Sequence, residues 1–600
     1  MTLALADWLI IAVYFALSIA IGLYYTGRAG RSLTDYFLSG RSLPWWLAGT
    51  SMVATTFAAD TPLVVTGLVV KYGVAGNWLW WNLALSGLLT VFLFSRLWRR
   101  AGVLTDVEFV ELRYGGRPAA VLRGVRALYL ALPINLIIMG WVTKAMADIL
   151  QITLGISGWR VAALLFLITA GYSILAGLWG VIVTDFFQFI VAMGGSITLA
   201  VFAVNRVGGL DRLAELASGR YGSHQAALGI LPPLEGGWLP LSSLLVFLAV
   251  QWWASWYPGA EPGGGGYVAQ RIMSARDERH GLLATLWFNI AHYALRPWPW
   301  ILVGLFAAVT YPDLTAPGAD PGHGYARAMV DLLPSPLRGL LLAAFAAAYM
   351  STIATHLNWG TSYFVNDFWL RFVRKGASDR EQVLISRLAT AVLMVLALVV
   401  MRFLGSIEAG WRILLGIGAG TGLVLILRWY WWRINAWSEL AAMGASLVSS
   451  VALWRWGHLL LGRPDRLTAD DPLVLVLTVA VTTAAWLAAT LLTRSESPET
   501  LERFYRRARP GGPGWRAVAT RLGFGADTIP GGALSWVNWV AGWVAVYATL
   551  FSIGQLLVGT SAAALGFGAV AVAAFALIAR NLRQDAAFRT AAVDTPGGPP

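Results

Sequence analysis

Apolar runs of about 20 residues or more, each long enough to cross the hydrocarbon core of a bilayer as a helix, recur along the whole chain with short loops between them. Inside hydrocarbon only a helix or a closed barrel satisfies its own backbone, so this one feature narrows the fold to an all-α polytopic membrane protein. The runs fall near 8–27, 44–70, 75–95, 127–152, 159–178, 181–204, 240–258 and 281–310. Others lie near 336–370, 385–404, 411–432, 437–457, 472–493, 535–557 and 560–580, which makes about 15 transmembrane helices.

Composition agrees. The 600 residues are 58% hydrophobic and 12% charged, where a soluble domain carries about a quarter charged residues. A soluble enzyme, a disordered chain and a repeat solenoid are excluded. The absence of cysteine excludes disulfides, thiolate metal sites and a cysteine nucleophile. The net charge of +13 does not mark a nucleic-acid partner, because most basic residues sit in short loops beside apolar runs. That placement orients membrane helices. With the N-terminus outside, one set of loops gathers Arg28, Arg31, Arg41, Arg96, Arg99, Arg100, Arg113 and Arg117, then Arg271, Arg276, Arg279, Arg371, Arg374 and Lys375. The expectation is a multi-pass protein of the plasma membrane, a bacterial inner membrane, without a cleavable signal peptide.

Two spans are interrupted. The second carries Asp60 and Pro62 in mid-membrane, after Ala54-Thr55-Thr56-Phe57-Ala58-Ala59. The seventh runs through Trp252, Trp253 and Trp256 to Pro258-Gly259, then Glu261-Pro262 and the glycines Gly263 to Gly266. Each opens a run of five spans. Matched interruptions in two halves point to a transporter built from inverted repeats, with its site near the midplane. The expected organisation is 1–43, an extra helix and inward loop; 44–204, the first inverted repeat; 205–239, an outward loop; and 240–433, the second inverted repeat. Additional helices at 434–493, a basic inward linker at 494–534, C-terminal helices at 535–580 and a disordered tail at 581–600 complete it. Ser497-Pro498 can open a short surface helix in the linker, whose arginines read as a solvated face against anionic lipid.

Several motifs resemble the sodium:solute symporter family. They are Asp35-Tyr36-Phe37-Leu38-Ser39-Gly40-Arg41-Ser42-Leu43-Pro44, then Thr105-Asp106-Val107-Glu108-Phe109-Val110-Glu111-Leu112-Arg113-Tyr114. Gly177-Leu178-Trp179-Gly180-Val181 follows with Thr184-Asp185-Phe186-Phe187-Gln188. The last are Ala346-Ala347-Ala348-Tyr349-Met350-Ser351-Thr352 and Trp432-Arg433-Ile434-Asn435. In this order they cover about residues 8–457. The resemblance implies a leucine-transporter-type fold of five-plus-five inverted helices with extra flanking helices. It implies sodium-coupled symport by alternating access, with sodium as the coupling ion and no other cofactor.

By the same resemblance, one sodium is held by the carbonyls of Ala54, Phe57 and Ala348 and the hydroxyls of Ser351 and Thr352. Hard cations take oxygen ligands, and a broken helix supplies free carbonyls. The competing reading is that both hydroxyls bond back to their own helix. A second sodium, or a gate, is implied at Asp185 and Thr355, although Ala354 stands where a further hydroxyl would be needed. Substrate positions implied in the first broken helix are Thr56, Asp60 and Thr61. From the residues themselves, Asn289, His292 and Arg296 share a helical face by their i, i+3, i+7 spacing. Trp253 and Trp256 offer surfaces for stacking on a sugar. A buried arginine needs a cavity or a partner, so Arg296 either meets an anionic group on the solute or is neutralised by Asp60 or another acid. Lys144 reads as a snorkelling lysine. The partners expected are a small organic solute (sugar, polyol or organic acid), sodium and the lipid bilayer; no particular oligomeric state is indicated. Two other classes stand beside this one, a polytopic membrane enzyme and a transporter-fold sensor. The six histidines show no metal-ligand spacing, and no signalling domain is visible.

Overall fold

The structure, a computed structural model, describes residues 3–29, 38–103, 105–156, 178–232, 241–254, 261–462, 471–525 and 527–585, with Arg160, Leu164 and Thr169 between them. Among these residues the chain is helical, and its extended pairing is an isolated bridge between Leu43 and Ala275. Among the described residues eight helices are long and apolar enough to cross a membrane, or ten when each of two bent pairs is one span. The other expected runs are accounted for as follows. The 159–178 run lies almost wholly outside the described residues, Leu5–Ile21 and Ser242–Ala254 are shorter apolar helices, and the 281–310 run is divided by a π-helical turn. The expected tail lies outside the described residues from 586 on.

Helix α1 (Leu5–Ala29) precedes the first repeat. Helices α2 (Trp45–Thr55) and α3 (Asp60–Tyr72) are halves of one broken span, bent by 61°. Then come α4 (Val74–Ala101), the short α5 (Phe109–Arg113), α6 (Gly116–Leu154) and α7 (Leu178–Arg206). The second repeat opens on α8 (Ser242–Ala254) and α9 (Gly266–Ser274), with residues 261–265 non-helical just before α9. It continues through α10 (Glu278–Asn289), α11 (Pro297–Thr310), α12 (Leu337–Val373), α13 (Asp379–Phe403), α14 (Ile407–Gly418) and α15 (Gly422–Tyr430). Helices α16 (Ala436–Leu460) and α17 (Pro472–Leu492) follow, then α18 (Pro498–Ala508), α19 (Arg516–Arg521), α20 (Ala533–Val558) and α21 (Ser561–Gln584).

Packing sorts the core into two bodies. Helices α2, α4, α9 and α10 pack on one another, as do α6, α12 and α13, and α7 lies between the groups against both α2 and α12. Small residues set the close approaches, as membrane helix packing requires. A Cβ on Gly49 would lie 2.5 Å from the carbonyl oxygen of Ala284, so α2 and α10 meet backbone to backbone.

Two loop readings change. Arg271, placed in a loop by the sequence, is fully buried, because α9 turns back into the body after the glycines. The 494–534 segment is not a solvated linker. Its helix α18, capped by Ser497 with Pro498 in the first turn, folds against α4 and α5. Leu501, Phe504, Tyr505 and Ala508 are buried. They recur at i, i+3, i+4, i+7, the spacing of one apolar face, with arginines on the other side.

Candidate functional site

The break between α2 and α3 takes Thr56, Phe57, Ala58 and Ala59 out of the helix in the middle of the protein. Phe57 N donates to the Ala54 carbonyl at 2.9 Å, a tighter turn than an α-helix makes. The Phe57 ring carries the break to α12, its centroid 6.4 Å from that of Phe345. On α12, Thr352 Oγ1 donates to the Ala348 carbonyl at 2.9 Å, and Ser351 Oγ donates to Asp185 Oδ1 at 2.9 Å. Ser51 Oγ donates to the other carboxylate oxygen at 2.7 Å. Arg271 Nη2 donates to Thr55 Oγ1 at 3.3 Å, which brings a guanidinium to the same cluster. Asp185, Ser51 and Arg271 are wholly buried. Both α12 hydroxyls give their protons to other oxygens, and a hydroxyl oxygen that donates keeps two lone pairs for a cation. The back-bond foreseen for Thr352 is therefore formed, without consuming its oxygen as a ligand.

Asp185, the residue expected at a second ion or a gate, is thus hydrogen-bonded to Ser351 of the first expected site. Thr355, one turn further along α12, is half-buried.

Beside the break lies a cavity of about 50 Å³, lined by Thr56, Thr61, His292, Arg296 and an aromatic wall. The wall is Trp80, Tyr267, Phe288, Tyr293 and Trp411, with Leu83 and Leu415. Trp80 stacks on Tyr293 with centroids 5.8 Å apart and meets His292 edge-on at 5.5 Å. Thr56 Oγ1 is the polar hub. It accepts from Arg296 Nη1 at 3.0 Å, lies 3.0 Å from His292 Nδ1, and sits 2.8 Å from the Val53 carbonyl. Arg296 Nη1 also donates to that carbonyl at 3.0 Å, and the guanidinium carbon lies 5.2 Å from the centre of the Trp300 ring.

Of the eight expected substrate residues, Thr56, Thr61, His292 and Arg296 line this cavity. Asn289 does not. A π-helical turn over Ile290–Leu295, with Arg296 N bonded to Ala291 O at 3.1 Å, inserts a residue into the face. His292 and Arg296 still meet, while Asn289 donates to the Thr285 carbonyl and stands against Gly87. The Asp60 carboxylate lies within reach of the Arg296 charge and takes its hydrogen bond elsewhere. Its Oδ2 accepts from Trp411 Nε1 at 3.0 Å, and it lies in the first turn of α3, where the helix dipole favours an acid. Trp253 lies outside the cavity, its indole donating to Ala249 O and its carbonyl pressed on Gly422. Trp256 lies outside the described residues. Sequence reasoning missed Ser51, Thr55, Arg271 and the aromatic wall. Arg271 carried a signal, as a lone arginine just past a glycine run inside an apolar stretch; the aromatics carried none among 31 tryptophans.

On the face opposite the 105–113 loop, Lys144 is paired with Asp148 at 3.2 Å. Asp148, Asp320 and His323 bring their ligand atoms within 4.8 Å of one another. Asp148 lies far along the chain from Asp320 and His323, so spacing could not bring the three together.

The family model described as Sodium:solute symporter family matches residues 36–446. A sodium/mannose cotransporter of Bos taurus is 28% identical over 65% of this chain and 68% of its own. Sodium/glucose cotransporter 1 of Oryctolagus cuniculus is 26% identical over 72% of this chain and 69% of its own. Among solved structures, a Na+-coupled sialic acid symporter superposes with a TM-score of 0.66 at 20% identity, over 82% of this chain and 99% of that one. That likeness shows the fold.

Proposed function

The chain belongs to the sodium:solute symporter family, and from that premise we propose which of its oxygens take the ion and what kind of solute its cavity admits. It is a sodium-coupled symporter, driven by the ion gradient and the membrane potential. One charge moved through 100 mV is worth about 2.3 kcal/mol, enough to support uphill movement of a neutral solute. Sodium is held by the carbonyls of Ala54, Phe57 and Ala348 with the hydroxyls of Ser351 and Thr352. Asp185 tunes that site through Ser351, and Thr355 marks the next turn on the ion's route. The observation that carries this reading is the helix break at residues 56–59, whose two sides face the cavity and α12.

The solute is a small sugar, polyol or organic acid. Five aromatic rings offer flat surfaces for a ring or carbon chain, while Thr56, Thr61, His292 and Arg296 supply the convergent polar groups. Its relatives named for mannose and glucose support a sugar. The N-terminus faces out, the 105–113 loop and residues 494–534 face the cytoplasm, and the membrane is a bacterial inner membrane.

The test is the thermal midpoint of the purified protein against sugars, polyols and organic acids, in sodium and in potassium. A symported ligand raises the midpoint more in sodium, because binding to the folded state is coupled between the two sites. A midpoint blind to sodium and to the whole panel would refute the assignment.

A further inference from the structure

Three arginines from distant parts of the chain converge on the inner end of α4. Arg41 Nη2 donates to the Gly102 carbonyl at 2.8 Å. Arg507 Nε donates to the Ala101 carbonyl at 3.1 Å, and its guanidinium lies so close to Gly102 that a Cβ there would fall 2.1 Å from Nη2. Arg99 Nε donates to the Ala275 carbonyl at 2.9 Å, and its Nη2 to that of Arg276 at 3.1 Å. The bridge between Leu43 and Ala275 holds the turn that carries Arg41 against this same stretch.

These guanidiniums are hydrogen-bonded to carbonyls, and among the described residues no acid forms an ion pair with any of them. The acids around them are engaged elsewhere. Glu278 grips Arg100 with both oxygens, at 2.7 and 3.0 Å, Asp527 pairs with Arg509, and Asp277 caps α10. Glu108 acts on Arg41 from beyond ion-pair reach. Burial, and after it the charge of Arg507, lower the Arg41 pKa, so like charges stand within each other's field.

The turn that presents Arg41 is strained. Ser39, Gly40 and Arg41 all adopt left-handed backbone, with φ of 49°, 61° and 55°. That conformation is costly for any residue but glycine, and strain of this kind gathers at ligand clamps. Just beyond it, the exposed Trp45 and Trp46 open α2, and Trp46 meets Phe186 edge-on beside the exposed Phe187 of α7. Exposed tryptophans at the end of a span mark the headgroup level of a membrane. Arg41 and Arg99 are half-buried and Arg507 is exposed, so the N–H groups not used on carbonyls open to the surface at that level.

We propose that Arg41, Arg99 and Arg507 form a binding site for the phosphate of an anionic lipid in the inner leaflet. A phosphodiester brings a negative charge and acceptor oxygens that the planar fork of arginine matches, and its acyl chains hold it at the depth of these side chains. It supplies the counter-charge that the protein itself does not place there. It also ties the entrance of α2, the end of α4 and helix α18 to one ligand. The site rests on the orientation proposed above, and its test reads lipid binding alone, whatever the ion and the solute.

Full-length protein in detergent is titrated with phosphatidylglycerol, phosphatidylcholine and inorganic phosphate. Native mass spectrometry counts bound lipid on folded protein, and the thermal midpoint reports the stabilisation. The expected result is one phosphatidylglycerol held more tightly than any other lipid, with a raised midpoint that phosphatidylcholine and inorganic phosphate do not reproduce at the same concentration. Arg41→Gln/Arg507→Gln weakens that binding about 25-fold, at about fivefold for each arginine removed at the headgroups. Arg516→Gln/Arg521→Gln removes the same charge from exposed positions of the same segment and stays within about twofold of the parent. Arg41→Lys/Arg507→Lys keeps the charge without the fork and falls between the parent and the glutamine pair.

A tight phosphatidylglycerol retained by the glutamine pair overturns the proposal. Equal losses in the two glutamine pairs do so as well, since they would mean a diffuse surface field in place of a site. A response to inorganic phosphate as strong as that to phosphatidylglycerol would assign the guanidiniums to a soluble phosphate and refute the lipid. Because only folded protein is counted, a variant that loses its fold does not imitate one that loses its lipid.

Discussion

Replacing Ser351 by alanine separates a ligand from a mere neighbour of the ion. Ser351 and Ser51 stand almost symmetrically on Asp185, donating to Oδ1 at 2.9 Å and to Oδ2 at 2.7 Å. Each hydrogen bond to a charged acceptor in a buried site is worth about 1.5–3 kcal/mol. In Ser51→Ala that loss is felt equally with and without the ion, so it cancels in the binding equilibrium. In Ser351→Ala the same cancelling loss is accompanied by one missing oxygen in the sodium shell. A buried cation short of one polar contact loses about 1.5–3 kcal/mol, which at 1.4 kcal/mol per decade raises the sodium midpoint about 10- to 150-fold. Ser51→Ala stays within about threefold of the parent, its loss being common to both states. The assay is the sodium dependence of the thermal midpoint of purified protein, followed by uptake in proteoliposomes at fixed solute. Equal shifts in the two variants would refute the argument, because the carboxylate rather than the hydroxyl would then set sodium affinity. An unshifted Ser351→Ala would remove Ser351 from the ion site.

Arg296→Lys keeps the charge but loses the planar guanidinium whose Nη1 donates to both the Val53 carbonyl and Thr56 Oγ1; solute affinity falls about tenfold, while the sodium-dependent rise in midpoint persists. Loss of both responses together would point to misfolding instead of a solute role. Burial opposes but does not outweigh the hydrogen bond to Asp148, which comes first in raising the His323 pKa above 6.5. The raised value belongs to the folded state, so the stabilisation is full below pH 6.5 and fades as pH climbs through the folded value; the midpoint difference between parent and His323→Gln shrinks across that window. A difference that grew with pH would contradict this sign. Gly49→Val places side-chain atoms where the Ala284 carbonyl oxygen lies 2.5 Å from a Cβ, an overpacking that costs about 1–3 kcal/mol or more. It shows as a lower yield of folded protein and a lower midpoint in detergent, and a parental midpoint would mean that α2 and α10 can slide apart.

Local chemistry determined what needs no partner to be read. Long apolar runs dictate membrane helices wherever they occur, and Pro62 with Asp60, like the glycines at 263–266, marks where a helix cannot continue. The amphipathic spacing of Leu501, Phe504, Tyr505 and Ala508 was equally present, masked by the arginines around it. Tertiary structure decided what depends on register and on residues far apart in the chain. One π-helical turn moved Asn289 off the face that its spacing assigns to it. Asp60 takes a hydrogen bond from the indole of Trp411, some 350 positions away. The cluster of Asp185, Ser51, Ser351 and Arg271 draws on four elements, α7, α2, α12 and α9. A side chain's face follows from local periodicity, but which groups share a dry interior follows from how whole helices pack, and no local pattern encodes that.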